Sequence, residues 1–273
     1  MKRIFRLYFL FLIPFFLIRL ATLSQTDRVT GFFYGGSYGR FLFLFSLALA
    51  CVTALAAGLR IKNKQVEPQP PKAASLLLQI VLCLAALFTL QQILIPPLTS
   101  KISSRALSLG VFALYAVSHV FAAAFYFLLA ANASLPTTLL SDLFAASPAV
   151  AFTSQLLFLY AQSPVNLHDS LTVLSLLCEA ALAVAWLRYC SAVLAGSTVA
   201  FPSAVGFSVL AVYLAIGFRL PELFMNGGRL SFLNVISLLQ HTFCALTLMI
   251  LTLSSIPDKR AASDSEERNE NDV

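Results

Sequence analysis

Leu107–Ala130 reads LSLGVFALYAVSHVFAAAFYFLLA, an apolar run with a histidine, His119, near its middle. Leu230–Leu253 reads LSFLNVISLLQHTFCALTLMILTL and carries His241 at the same place. Both runs open Leu-Ser, and both continue His-x-Phe into a small pair, Ala122-Ala123 or Cys244-Ala245. About 20 apolar residues are needed to cross the hydrocarbon core of a bilayer as a helix. Each run meets that length, so each places an ionisable side chain at mid-membrane depth.

The rest of the chain fits the same solvent. Hydrophobic residues make up 59% of the 273 and charged residues only 11%, against about 25% charged in soluble domains. That is too little polar surface to cover a water-soluble fold. Runs of suitable length recur at about 4–23, 41–59, 74–95, 107–130, 146–162, 171–190, 198–218 and 230–253. The expected fold class is therefore all-α, a polytopic transmembrane bundle of about eight spans. The run 146–162 is short and starts near Pro148, so a re-entrant segment is the alternative there. In the first run Arg6 and Arg19 lie near the ends, where long side chains snorkel to the interface. That run is also too long, and lacks the small-residue site, for a cleaved signal peptide.

The net charge of +6 and pI of about 9.2 do not call for nucleic acid, because the basic residues cluster in loops. Lys2, Arg3, Arg6, Arg60, Lys62, Lys64, Lys72, Arg188, Lys259, Arg260 and Arg268 fall on one side of an eight-span topology. Arg19, Arg28, Arg40, Lys101, Arg105, Arg219 and Arg229 fall on the other. The positive-inside rule then puts both termini in the cytoplasm of a cell membrane, by expectation a prokaryotic plasma membrane. The expected organisation is a first membrane half, 1–130, with a basic inner loop at 60–73; a second half, 131–253; and a disordered acidic tail, 254–273, holding half of the chain's acidic residues.

Three echoes hint at a 4+4 tandem repeat. LACVTALAAGLR ends at Arg60 and LLCEAALAVAWLR at Arg188; Pro97 then Arg105 parallels Pro221 then Arg229; and the histidine runs match each other. The offsets are 128, 124 and 122 residues. Chance matching of leucine- and alanine-rich helices is the competing explanation. Internal repeats are frequent in transporter folds.

Helical spacing then singles out one set of side chains. Thr172, Ser175 and Glu179 share a stripe, as do Asn234, Ser237 and His241, and Tyr115 with His119. Each stripe mixes polar with small residues and stands opposite leucine, phenylalanine and valine, which marks a bundle-facing side. Glu179 is the one acid well inside a clear span by this reading, and a lone carboxylate in lipid must be paired, protonated or wet. The candidate substrate or proton pathway is thus His119, Glu179, His241, Ser175, Ser237, Asn234 and Tyr115. The structural alternative is that the histidines merely tie helices together.

Other motifs carry less. Gly35–Gly39 fits G-x-S-x-G around Ser37, but the strand-turn-helix setting of a nucleophile elbow is absent. Two histidines and a glutamate are plausible zinc ligands by type, without supporting spacing. Asn132-Ala133-Ser134 matches a sequon on the expected cytoplasmic side, and His168 and Asp169 fall in an outer loop. No catalytic residue, cofactor or metal is expected, and no loop is long enough for a nucleotide-hydrolysing domain. The expected function is a small-solute or proton-coupled carrier whose partners are the lipid bilayer and a small solute or ion. The alternative is a non-catalytic partner or sensor subunit that contacts another protein through the inner loop or the tail.

Overall fold

A computed structural model describes residues 8–26, 33–34, 38–63, 66, 68, 75–94, 106–131, 144–162, 170–193, 196–226 and 232–256. The Ser37 motif, the Asn132 sequon, His168, Asp169, Lys64, Lys72 and the tail beyond 256 lie outside them. The described residues are mostly helical, with one isolated bridge, Thr26 to Phe33, and short turns and connecting residues between helices. The elements are α1 (Leu12–Leu23), α2 (Tyr38–Asn63), α3 (Leu76–Leu94), α4 (Ala106–Ala130), α5 (Ser147–Gln162), α6 (Ser170–Val193), α7 (Ala200–Val212), a π-helical segment (Tyr213–Arg219), α8 (Leu220–Asn226) and α9 (Phe232–Ser254).

Among the described residues, 6 helices are long and apolar enough to cross a membrane: α2, α3, α4, α6, α9, and α7 running on through the π segment into α8 as Ala200–Met225. Tyr8–Leu23 is a shorter apolar helix. The 16 residues of α5 span about 24 Å at 1.5 Å per residue, less than a hydrocarbon core of about 30 Å. The outward faces are what lipid requires. Phe41, Phe45, Val52 and Leu55 on α2, and Val117 and Phe121 on α4, are exposed.

Helix packing builds a ring. α3 packs on α4, α4 on α5, α5 on α6, α6 on α9, and α9 back on α3. The α7–π–α8 rod lies against α6 and α9, and α1 and α2 pack onto it from outside. This rod and α9 are the most enclosed of the long helices, 72% and 67% buried against 33% for α2. The pairing does not establish two equivalent halves. α6 and α7 pack extensively, whereas α2 and α3, which hold the corresponding places in the first half, make at most marginal contact.

The α2–α7 seam is set by small residues. A Cβ at Gly58 would lie 2.7 Å from the Pro202 carbonyl oxygen, and one at Gly206 would lie 3.1 Å from that of Ala54. The Ala50, Ala54, Gly58 ladder therefore serves contact within the chain. Pro202 sits in the first turn of α7, where its missing N–H is harmless.

The π segment has a local cause. Pro221 inside a continuous α-helix would clash with the carbonyl four residues back, at Gly217. A wider turn relieves that clash, and the Leu220 N–H bonds to Ala215 O, five residues back. Gly217 also lets α1 approach, since a Cβ there would lie 3.1 Å from the Phe15 Cβ. Phe15 packs edge-on against Tyr213, ring centroids 5.0 Å apart, and stacks on Phe218.

Two expectations need correction here. Arg19 does not snorkel: it is 0% exposed, its Nη2 donates to Glu222 Oε1 at 3.2 Å, and its guanidinium lies over the Phe43 ring. The seventh span does not end at residue 218 with Arg219 outside. Helix continues to Asn226, so Arg219 and Glu222 are buried, and Glu179 is not alone as a buried acid.

Candidate functional site

Each member of the ring contributes polar side chains to its interior. On α3, Gln92 stands two residues from the helix end, where carbonyls lack intrahelical donors. Tyr115 of α4 fills that need, its Oη donating to Gln92 O at 2.9 Å. One turn on, His119 is fully buried, with its ring 4.1 Å from the Tyr115 ring. Its Nδ1 is 2.7 Å from Tyr115 O. A carbonyl only accepts, so Nδ1 carries a proton and donates. Ser118 Oγ donates to the same carbonyl and meets Ser154 Oγ of α5 at 2.8 Å.

Gln155 of α5 bridges the ring. Its Oε1 lies 3.2 Å from His119 Nε2, and its Nε2 donates to Glu179 Oε1 at 3.2 Å. Glu179 of α6 is 0% exposed, and Ser175 Oγ, one turn earlier, also donates to Oε1 at 3.3 Å. On its far side Oε1 faces His241 Nε2 of α9 at 3.5 Å, an electrostatic contact outside hydrogen-bond geometry. Arg219 of the π segment bonds to His241 Nδ1. Nδ1 therefore accepts, which makes His241 a neutral imidazole with its proton on Nε2, toward the carboxylate.

The result is a buried chain, His119–Gln155–Glu179–His241–Arg219, drawn from four helices and the π segment and hydrogen-bonded at every link but Glu179–His241, which is an electrostatic contact. The stripes of the sequence converge in part. His119, Glu179 and His241 belong to the chain, and Tyr115 and Ser175 bond to its members. Ser237 is half-buried, and Asn234 is exposed near the start of α9. The side chain of Thr172 falls outside the described set.

Gln155 and Arg219 are the members that sequence reasoning missed. Gln155 sits in the weakest apolar run, and an uncharged amide gave no reason to single it out. Arg219 looked like the charge that ends a span. Pro221 two residues later was the available signal, because a proline inside a helical pattern announces a local break of the hydrogen-bond ladder.

Bonding capacity is left over at the centre. Glu179 Oε2, Arg219 Nε and both ends of the fully buried Gln240 amide make no hydrogen bond among the described residues. No group of three or more metal-ligating side chains occurs among the described residues. A groove of about 960 Å³ lies elsewhere, on the α2–α7 seam between Cys51, Gly58, Lys62, Pro202 and Gly206; its lining contains no member of the chain. No family model, no curated protein and no solved structure matches this sequence.

Proposed function

We propose that the protein is a proton-coupled carrier of a small solute, an eight-span bundle in a cell membrane with both termini in the cytoplasm. The observation that carries this reading is the buried chain from His119 to Arg219. Ionisable groups inside a bilayer are costly and concentrate on ion and proton pathways. Here the five side chains link helices that are distant in sequence, so a change in charge at Glu179 acts on α5, α9 and the π segment together. A proline-bounded π segment supplies the kind of irregular backbone that transporters place beside their sites. Enclosure of Glu179 fits the occluded stage of an alternating-access cycle. The two halves need not be a tandem repeat for this mechanism.

The test is proton movement in proteoliposomes, read by an entrapped pH dye under an imposed gradient while small polar solutes are added in turn. Glu179→Gln and His241→Ala are each expected to abolish solute-dependent proton entry. Unchanged entry in both variants would sink the assignment.

One observation favours a second reading, a non-catalytic partner or sensor subunit. The described groove does not open onto the chain, as a static tie between helices would also have it. Deleting residues 259–273 separates the two, since a carrier keeps its flux without the tail and a coupling subunit loses its partner.

A further inference from the structure

The hydrogen-bond polarity of the ring constrains how many protons the site holds. The groups that contact it are His119 and Tyr115 from α4, Gln155 from α5, Glu179 and Ser175 from α6, His241 from α9 and Arg219 from the π segment; Cys178, next to Glu179 in α6, is within electrostatic reach of Arg219, Cys244 of α9 and Glu222 of α8. His119 Nδ1 must donate, because Tyr115 O at 2.7 Å has no proton to give. The state of His119 therefore depends on what its Nε2 meets, and that is one end of the Gln155 amide, whose other end meets Glu179.

An amide has one accepting end and one donating end. With Oε1 toward His119, as in the structure, His119 Nε2 must donate, so His119 is an imidazolium and Glu179 a carboxylate that accepts from Gln155 Nε2. With the amide turned end for end, His119 Nε2 accepts and the imidazole is neutral. Glu179 then has to donate to the amide oxygen and must be a protonated carboxyl. Which orientation is occupied does not alter the count. Both fully bonded arrangements contain one proton more than neutral His119 with ionised Glu179, and both have the same total charge. An empty site leaves two acceptors facing across one of the 3.2 Å contacts. A second proton breaks no contact, since it can sit on Glu179 Oε2, which makes no hydrogen bond among the described residues, while Oε1 goes on accepting.

We infer that His119, Gln155 and Glu179 form a proton-binding site whose first proton is shared between its two ends, with the Gln155 amide as the element that ties the ends together and opposes loss of that proton. Loading takes the proton from water and release returns it to water. Gln155 is a positioning residue, for it neither gains nor loses a proton. The inference deepens the carrier reading by naming where a proton is held, yet it stands on the bonding pattern alone.

The experiment is a titration of the full-length protein in lipid vesicles. Nitrogen-labelled histidine NMR reads the imidazolium fraction of His119. The infrared band of a protonated carboxyl, assigned by its loss in Glu179→Gln, reads Glu179. As pH rises, the sum of the two fractions is expected to settle at one and hold there as a plateau instead of falling on to zero. In Gln155→Met, whose side chain donates no hydrogen bond and accepts only weakly, the plateau is expected to vanish and the sum to fall toward zero. A wild-type sum that passes through one without a plateau would overturn the inference, and so would a plateau that survives in Gln155→Met. The wild-type titration decides even where the variant does not fold. Flux lost with the plateau intact counts against the carrier and not against the proton site; a missing plateau with flux intact does the reverse.

Discussion

Arg19–Glu222 and the Glu179 chain are both buried charge clusters, and they are built on opposite plans. In the first, a guanidinium Nη2 meets a carboxylate Oε1 at 3.2 Å and lies over an aromatic face, Phe43. Charges cancel in one direct contact between α1 and α8. In the second, Glu179 and Arg219 are held apart by a neutral histidine, and a neutral amide separates Glu179 from His119. Opposite charges that touch have little reason to change state. Charges spaced by groups able to donate or accept can change state at small cost, because each intermediate can reverse its role. The first cluster ties the bundle together; the second is suited to carry protons.

That contrast predicts a separation of phenotypes. The largest stability effect is expected from Arg19→Met, which leaves Glu222 without the guanidinium that bonds it. Breaking a buried pair at one partner costs about 3–5 kcal/mol. Replacing both, as Arg19→Met with Glu222→Leu, is expected to recover most of this, and equilibrium unfolding in mixed detergent measures both. Glu179→Gln is expected to do the converse. It exchanges a charge-assisted bond for a neutral one of similar shape, a loss of about 1–1.5 kcal/mol, while solute-dependent proton entry disappears. Equal destabilisation by the two variants would erase the distinction between the clusters.

Much of the architecture was legible in the sequence because lipid imposes one simple rule, long apolar runs, and the runs at 41–59, 107–130 and 171–190 each lie within a helix, and those at 74–95 and 230–253 overlap α3 and α9. The inward stripes of His119, Glu179 and His241 were legible too, since helical spacing alone sets which side chains share a face. Two kinds of information were not. One was which faces meet: that Gln155 stands between His119 and Glu179 follows from α4, α5 and α6 being ring neighbours, which no periodicity encodes. The other was the backbone irregularity at Tyr213–Arg219. A regular α-helix is assumed by any count of stripes, and the π segment shifts every later residue around the rod, carrying Arg219 and Glu222 into the protein.

A smaller effect tests whether the α2–α7 seam is as rigid as its spacing implies. In Gly58→Ala the new methyl group meets a backbone carbonyl at 2.7 Å, which cannot rotate away as a side chain would. The helices must separate, at a cost of about 1–3 kcal/mol. Gly110→Ala in α4, whose would-be Cβ meets nothing within 4 Å among the described residues, is the matched control and is expected to be neutral or slightly stabilising. Because the seam lies away from the Glu179 chain, the proton plateau should persist in Gly58→Ala once the protein is folded.

The smallest effect probes Tyr115, whose two oxygens belong to different plans. Its hydroxyl caps the Gln92 carbonyl near the end of α3, and its carbonyl holds His119 Nδ1. Tyr115→Phe deletes only the hydroxyl, keeping the ring against His119 and against Phe158 at 4.9 Å. The loss is one hydrogen bond, about 1 kcal/mol, and it should appear as faster amide exchange in the last turn of α3. The proton-binding stoichiometry should not move, since the atom that fixes the tautomer of His119 is a main-chain oxygen that every substitution at 115 retains. A changed plateau in Tyr115→Phe would mean that the hydroxyl belongs to the proton site, and the boundary between its supporting and proton-holding groups would have to be redrawn to include α3.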